Sequence, residues 1–236
     1  MEPEIVCDNL TVPKNINNEK PLIVGIAGAS GSGKSTLVDA IYSSVGSQHL
    51  SVLHHDMYYK GLDMYDHGNH ELIDWDHPDS LDTELLIEHI KELKCGNSIT
   101  MPKYDFTTSM RVVGDGVHVE PHRVIVVEGI LVFAIKKLRE LFDVSIFVDV
   151  DLDIAFIRRL KRDVLERGRS LDHVCDQYQK TVRNAFLSFV EPSKRYADVI
   201  VPRGGYNSEA ISMVTSYLRA RIPSSTPAPV LMSESE

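Results

Sequence analysis

The residues best suited to chemistry lie together in one short stretch near the N-terminal end of the sequence. It runs Gly28-Ala-Ser-Gly-Ser-Gly-Lys34-Ser35 and matches the spacing G-x-x-x-x-G-K-[ST] without substitution. Its glycines let the backbone curl so that successive N–H groups point at phosphate oxygens. In this pattern Lys34 contacts the β- and γ-phosphates, and Ser35 offers its hydroxyl to Mg²⁺. The stretch therefore predicts a nucleoside triphosphate site made by Gly28, Ala29, Ser30, Gly31, Ser32, Gly33, Lys34, Ser35 and Thr36.

The flanking segments supply the context that a phosphate-binding loop needs. The apolar run 22–27 is typical of a buried parallel strand, and residues 34–45 carry apolar side chains at helical spacing. The alternative interpretation is a flexible Gly/Ser turn, which needs neither flank. The order strand, loop and helix favours the phosphate loop, because the helix N-terminus also attracts anions.

Two carboxylates follow predicted strands and are candidates for the chemistry. Asp56 comes just after the strand predicted at residues 50–54, and Glu128 ends the buried run 124–128. Strand ends of this kind face the ligand crevice of an open α/β sheet. Asp56 is placed to accept a hydroxyl proton near the γ-phosphate, and Glu128 to sit near Mg²⁺. A turn or cap role for Asp56 and a solvated strand end for Glu128 are the alternatives.

A strongly basic segment stands out in a chain that is acidic overall. Residues 158–169 contain six cations, and Arg158 and Arg162 share a helix face. Arg167-Gly-Arg169 then breaks the helix into a turn that can close over a ligand. Such runs are usually solvated helix faces, but a guanidinium-rich lid would neutralise the triphosphate and exclude water. We favour the lid.

Several aromatic side chains fall in predicted loops or in a hairpin instead of at helical core spacing. They either stack on a nucleobase or pack the hairpin onto the domain, and the sequence leaves both interpretations open. They are Tyr58, Tyr59, Trp75, Tyr104 and Phe106.

The order of predicted elements indicates one α/β domain with a doubly wound parallel sheet flanked by helices, the architecture of P-loop NTPases. The predicted parts are a flexible lead-in (1–20), the P-loop domain (21–221), a β-hairpin insertion (98–120), a helical lid with its following helix (154–190) and a disordered tail (222–236). Within the hairpin, Gly114-Asp-Gly116 is expected to form a turn.

Net charge, apolar runs and cysteine spacing argue against several other classes of protein. The net charge of −9 argues against a general nucleic-acid binder. No apolar run approaches the roughly 20 residues that span a bilayer, so no membrane association is expected. Cys7, Cys95 and Cys175 lack metal-site spacing and are expected to be reduced thiols of a cytoplasmic protein.

Taken together, these patterns resemble the uridine–cytidine kinase family of P-loop nucleoside kinases. The resemblance extends from about residue 21 to residue 220, and the last third is similar to bacterial members. It is carried by the blocks GASGSGKST, DMYYK, DHPDSLD, PKYDF, VVEGIL, FVDVDLDIAFIRRLKRDVLERGRS, QYQKTVR and EPSKRYADVIVPRGG. An ordered set of blocks is far more specific than a phosphate loop alone.

The resemblance implies a kinase that moves the γ-phosphate of ATP or GTP to the 5′-hydroxyl of uridine or cytidine, with Mg²⁺. It assigns the proton-accepting role to Asp56 and the metal ligands to Ser35, Asp56 and Glu128. Asp76 would bind the ribose hydroxyls with help from Arg169. The remaining nucleoside positions map to Tyr59, Trp75, Tyr104, Phe106, Arg159 and Gln177, the phosphate-holding lid positions map to Arg162 and Arg167, and a homo-oligomer, commonly a tetramer, is implied.

One departure from the family pattern concerns base recognition. The family usually has a histidine five residues after the tyrosine of YDF, whereas this chain has Ser109. Two alternatives therefore stay open: a kinase for another ribose-bearing alcohol, such as a purine nucleoside, and a nucleotide-dependent switch or binding module. A switch would leave Asp76, Tyr104 and Arg169 without a purpose.

Overall fold

The computed structural model describes residues 20–62 and 73–222. The strands are β1 (Leu22–Gly28), β2 (Leu50–His54), β3 (Ile99–Asp105), β4 (Met110–Val119), β5 (Val124–Glu128), β6 (Val144–Val148) and β7 (Val199–Val201). The α-helices are α1 (Lys34–Val45), α2 (Thr83–Lys94), α3 (Lys136–Arg139), α4 (Leu152–Leu165), α5 (Leu171–Gln177) and α6 (Ser208–Ala220). Short 3₁₀ turns lie at Ser47–His49, His55–Tyr58, Pro78–Ser80, Lys194–Tyr196 and Gly204–Tyr206.

Five strands form a parallel sheet in the order β2-β5-β1-β6-β7. The phosphate-loop strand β1 is therefore central, with β5 and β6 as its neighbours. The order reverses direction around β1, and at such a switch point the carboxyl ends of the strands open a crevice for ligands. The predicted α/β fold with a parallel sheet is confirmed.

Both faces of the sheet are covered, which explains why its strands are continuous apolar runs. Alternate strand residues, such as Ile23 and Ile125, pack with α2 and the segment after β5 in one core. Their neighbours Val24 and Val126 pack with α1 and α6 in a second core. The two cores hold the carboxyl edge of the sheet rigidly, so side chains at that edge start from fixed positions.

The antiparallel pair β3–β4 stands apart from the main sheet as a two-stranded ladder. The connection between its strands lies at residues 106–109. Gly114-Asp-Gly116, predicted to form a turn inside the second segment of the hairpin, belongs to β4, at a place where the pairing register shifts between Met101 and Lys103. Gly114 has φ +78° there, so the glycines form a bulge instead of a turn.

The helical segment after α4 is continuous from Leu171 to Tyr196 but is not a regular α-helix. Two π-helical turns, Tyr178–Val182 and Phe186–Val190, alternate with the short α-turns Arg183–Ala185 and Glu191–Ser193. Extra-residue turns of this kind often accompany functional sites, because they re-aim side chains along a helix.

The predicted lead-in and tail lie outside the described residues, apart from Lys20 and Ile222. Among the residues that are described, no helix is long and apolar enough to cross a membrane. Cys175 is a free thiol, whereas Cys95 is disulfide-bonded. The expectation of reduced thiols is therefore wrong at Cys95, since sequence spacing says nothing about which cysteines meet in space.

Candidate active site

The phosphate loop joins the end of β1 to the start of α1, as the motif predicts. Gly31 and Gly33 have φ +84° and +99°, in the left-handed region that favours glycine. A Cβ at Gly31 would lie 2.3 Å from the carbonyl oxygen of Ala155, so the loop is packed tightly against α4. This conformation turns backbone N–H groups toward the space above the sheet, where they can bind phosphate oxygens.

Lys34 is buried inside this loop. Its ammonium donates to the carbonyl oxygens of Ala29 (3.0 Å) and Gly28 (3.2 Å). Burial lowers its pKa, while the nearby carboxylates of Glu128 and Asp56 act to raise it. The charge is therefore held close to both predicted catalytic carboxylates before any ligand binds.

Both strand-end carboxylates lie at the carboxyl edge of the sheet, one on each of two neighbouring strands. Glu128 is buried and pairs in register with His54 of β2. Its Oε1 accepts a 2.8 Å hydrogen bond from His54 Nδ1, which raises the pKa of that histidine. Asp56 follows in the 3₁₀ turn after β2 and is half-buried.

The donor set of Ser35, Asp56 and Glu128 fits Mg²⁺. Hydroxyl and carboxylate oxygens are hard ligands, and Mg²⁺ usually keeps several waters and takes only one or two protein carboxylates beside substrate phosphates. Ser35 is exposed in the first turn of α1, next to the phosphate loop. Glu128 ends β5 and Asp56 follows the neighbouring strand β2, so both carboxylates lie at the same edge of the sheet. Among the described residues, no cluster of three acidic, histidine or cysteine side chains makes a separate metal site.

A pocket opens beside the phosphate loop, and it collects side chains from segments far apart in the sequence. Ser30 of the loop and Asp56 line one side of it. Every predicted nucleoside-contacting residue and both predicted lid arginines also line it. They are Tyr59, Trp75, Asp76, Tyr104, Phe106, Ser109, Arg159, Arg169 and Gln177, with Arg162 and Arg167.

Four aromatic rings form one wall of the pocket. Tyr104 lies 5.3 Å from Tyr59, 6.5 Å from Trp75 and 5.2 Å from Phe106, between ring centroids. The rings of Tyr59 and Trp75 meet edge to face at 6.0 Å. The wall therefore packs the hairpin onto the domain and also lines the pocket. Stacking of these rings on a nucleobase stays a prediction. The fifth aromatic, Tyr58, is fully buried in the core.

Asp76 supplies the carboxylate on the far side of the pocket. It is 5% exposed, and burial raises its pKa. The opposing influence is Arg159, whose Nη1 lies 3.6 Å from Asp76 Oδ1. A second guanidinium nitrogen of Arg159, Nη2, donates to Gln177 Oε1 at 3.2 Å, which fixes the side chains of this pair.

The basic segment supplies an arginine cluster (Arg159, Arg162, Arg167 and Arg169) that faces the pocket. Arg162 Nη2 reaches Ser30 Oγ of the phosphate loop at 3.4 Å. The guanidinium of Arg167 lies 4.0 Å from the centre of the Phe106 ring, a cation–π contact. The cluster thus touches the phosphate loop and the hairpin at once. Arg158, by contrast, points away and lies 4.8 Å from the ring of Tyr206.

Ser109 lies at the tip of the hairpin with φ +56°, an uncommon conformation for serine. Its carbonyl oxygen accepts from the N–H of Leu62 at 3.2 Å, which ties the tip to the loop after β2. Arg111, two residues on, donates to the carbonyl oxygens of Tyr58 (3.1 Å) and Tyr59 (3.3 Å). These bonds hold the hairpin over the pocket.

Three features of the site escape sequence inspection. Ile130 of the block VVEGIL lines the pocket after β5, although its aliphatic side chain offers no chemistry that would single it out in the sequence. Gly205 packs on the phosphate loop so closely that a Cβ on Gly33 would lie 2.6 Å from its nitrogen. Asp163 is buried among the arginine cluster. Of the three, Asp163 alone has a signal in the sequence, because it is an acid that lies four residues from both Arg159 and Arg167 in a basic segment.

Comparison with known proteins identifies the family to which this chain belongs. The family model described as the phosphoribulokinase / uridine kinase family matches residues 23–210. The chain belongs to that family. A uridine kinase of Proteus mirabilis is 49% identical over 196 residues, which are 81% of this chain and 92% of that protein. A uridine kinase of Chloroflexus aurantiacus is 46% identical over 202 residues, covering 86% and 96%.

Solved structures show the same fold at lower identity. A structure titled as a possible uridine kinase from Bacillus stearothermophilus has a TM-score of 0.54 and 25% identity, covering 79% of this chain and 91% of that one. A D-glycerate 3-kinase from Cryptococcus neoformans has a TM-score of 0.56 at 17% identity, covering 78% and 87%. The second likeness concerns the fold alone.

Proposed function

We propose that this protein is a nucleoside kinase that transfers the γ-phosphoryl group of ATP to the 5′-hydroxyl of uridine or cytidine. The observation that carries the proposal is the shared pocket: Ser30 of the phosphate loop and Asp56 line the same cavity as Asp76 and Tyr104. A nucleotide switch needs an attacking water and no acceptor pocket. The curated relatives at 44–49% identity carry the name uridine kinase, which agrees with this chemistry.

In the proposed reaction each half of the site has a separate task. Asp76 accepts hydrogen bonds from the ribose hydroxyls, and the aromatic wall supports the base. Asp56 accepts the 5′-hydroxyl proton as the oxygen attacks the γ-phosphorus and the bond to the β-phosphate oxygen breaks. Lys34, Arg162 and Arg167 stabilise charge on the transferred group. Ser35, Asp56 and Glu128 would hold Mg²⁺, which neutralises the β- and γ-phosphates.

A coupled assay of ATP consumption tests the proposal. Uridine, cytidine, adenosine, guanosine and inosine are compared with ribulose 5-phosphate and with no acceptor. Turnover is expected with uridine and cytidine above all other acceptors. A purine nucleoside or ribulose 5-phosphate as best acceptor, or equal ATP hydrolysis without acceptor, would contradict it. Repeating the assay with GTP and with EDTA tests the donor and the metal requirement.

We also propose that residues 98–120 act as a hairpin insertion and residues 154–190 as a lid, and that the protein works in the cytoplasm. We further propose that the chain forms a homo-oligomer, which the family resemblance implies to be a tetramer. The hairpin favours assembly, because Val113 is 95% exposed and Val117 47% exposed on β4. Two apolar side chains exposed on one projecting strand offer a contact to a second copy. Light scattering during size-exclusion chromatography measures the mass directly, and a 26.5 kDa particle would contradict assembly.

A further inference from the structure

Asp163 of α4 has no role in the proposed reaction, although it lies at the centre of the arginine cluster. Its side chain is 0% exposed. All four arginines of the cluster place a guanidinium nitrogen between 2.8 and 3.7 Å from its carboxylate. A buried carboxylate with four cationic neighbours is a costly arrangement that packing alone does not require.

The two oxygens of Asp163 divide the cluster between them. Oδ1 accepts a hydrogen bond from Arg162 Nε (2.9 Å), and the ion-paired Arg162 Nη2 and Arg167 Nη1 lie 2.8 and 3.5 Å away. Oδ2 accepts a hydrogen bond from Arg169 Nη1 at 3.3 Å, and the ion-paired Arg159 Nε lies 3.7 Å away. Each oxygen therefore holds a different pair of arginines.

Through Arg162 on Oδ1 and through Arg159 and Arg169 on Oδ2, the carboxylate reaches both sides of the pocket. Arg162, on Oδ1, continues to Ser30 of the phosphate loop. Arg159 and Arg169, on Oδ2, both donate to Gln177, and Arg159 also faces Asp76. One carboxylate thus connects the phosphate side with the nucleoside side.

The charge balance explains why a carboxylate is needed there. Burial acts to raise the pKa of Asp163, but Arg162, Arg159 and Arg167 outweigh it and lower that pKa, so the group is ionised. Without it, four guanidinium groups would repel one another across a few ångströms. Burial lowers the pKa of Arg167, and the neighbouring charge of Arg162 acts in the same direction.

We propose that Asp163 is a positioning residue that couples the two substrate sites, one carboxylate oxygen orienting the phosphate-side arginines and the other the nucleoside-side arginines. The inference rests on the proposed function for the identity of the two substrates. It predicts a signature that a residue serving only one side would lack: loss of Asp163 weakens the handling of ATP and of nucleoside together.

The test compares Asp163→Asn with the control Asp176→Asn. The control removes an exposed carboxylate of α5 that pairs with Lys180. For Asp163→Asn, the KM values for ATP and for uridine should both rise by at least about tenfold, since one hydrogen bond to a charged group has about this effect on binding. The value of kcat should also fall, by about a hundredfold if reacting groups shift by an ångström. Asp176→Asn should match wild type.

The KM readout separates coupling from loss of stability. Partial unfolding lowers the apparent kcat through the amount of active enzyme, but it leaves both KM values unchanged. Unchanged KM values, or a rise in only one of them, would overturn the proposal. Asp163→Glu guards against a folding failure: it keeps the charge, yet its extra methylene displaces both oxygens, so both KM values should rise again.

A binding measurement keeps this inference separate from the proposed function. If wild type phosphorylates no nucleoside, the proposed function fails, whereas calorimetric titration with ATP still tests the phosphate side. ATP should bind Asp163→Asn at least about tenfold more weakly than Asp176→Asn. Equal affinities of the two variants would refute the role of Asp163 whatever the acceptor is.

Discussion

The two halves of the site are built in different ways. The phosphate side consists of one contiguous stretch, residues 28–36, and presents mainly backbone N–H groups whose direction depends on its glycines. The nucleoside side takes its side chains from the loop after β2, the segment before α2, the hairpin and the helices α4 and α5. Its geometry therefore depends on the tertiary structure.

This difference separates the part of the site that binds the triphosphate in general from the part that selects the acceptor. Backbone groups bind any triphosphate, so the phosphate side can be shared among many kinases. Side chains on loops and on a hairpin can change without disturbing the two cores, so acceptor choice can vary. Substitutions on the phosphate side should accordingly lower turnover for every acceptor, and those on the nucleoside side should change KM or acceptor ranking.

The largest effect is expected at Asp56, where the two halves meet. Asp56→Asn removes the proton acceptor and a proposed metal ligand, so kcat should fall by about 10²–10⁴-fold or more, with little change in nucleoside affinity. Steady-state kinetics with uridine and calorimetric binding of uridine measure the two quantities. A large loss of uridine affinity with near-normal kcat would move Asp56 to the nucleoside side.

Lys34→Ala should reduce kcat by about 10²–10³-fold for all acceptors alike, since it deletes a preorganised charge at the transferred phosphate. The control is Lys137→Ala, an exposed lysine paired with Glu84 far from the pocket. Because Lys34 also donates to Gly28 and Ala29, circular dichroism should check the fold. Unequal losses of kcat with uridine and with cytidine would contradict the assignment of Lys34 to the phosphate side.

Asp76→Ala should raise the nucleoside KM by about 10–100-fold, the effect of losing hydrogen bonds to a charged group, and leave the KM for ATP nearly unchanged. The same two KM values distinguish it from Asp163→Asn. If Asp76→Ala lowered kcat strongly at saturating uridine, its role and that of Asp56 would have to be exchanged.

A smaller effect is expected from Ser109→His, which introduces the histidine usual at this position in the uridine–cytidine kinase family. Histidine is tolerated at positive φ, so the hairpin tip should keep its conformation. The longer side chain should shift kcat/KM toward uridine and cytidine and away from purine nucleosides, by about tenfold for one new hydrogen bond. An unchanged ranking of the five ribonucleosides would place Ser109 outside base recognition.

The smallest effect is a pH dependence of nucleoside binding. Burial raises the pKa of Asp76, so on acidification this carboxylate takes up a proton at higher pH than an ordinary aspartate, whose pKa is about 3.9. The nucleoside KM should therefore rise as the pH falls toward and through the raised pKa. Asp76→Asn should show a flat profile over the same range, and a parallel rise in both proteins would exclude Asp76 as its origin.

Much of the fold and site follows from the sequence. The phosphate loop is local: its glycines and Lys34 act within one turn of chain, so spacing alone predicts the structure. The apolar runs of β1 and β5 likewise predict a sheet buried on both faces, because each strand carries that requirement in its own composition. At Gly114 the sequence predicts a turn where the structure has a bulge. Glycine favours both conformations, and only the pairing of the strands distinguishes them.

Only the tertiary structure decides how the nucleoside side is assembled. No spacing rule brings Asp76 to within 3.6 Å of Arg159, 83 residues later, or seats Phe106 beneath Arg167. The contact of Gly205 with Gly33 has the same origin. The physical reason is that hydrogen bonds and ion pairs between distant segments depend on how the sheet and its helices pack, whereas a phosphate loop depends on its own backbone angles.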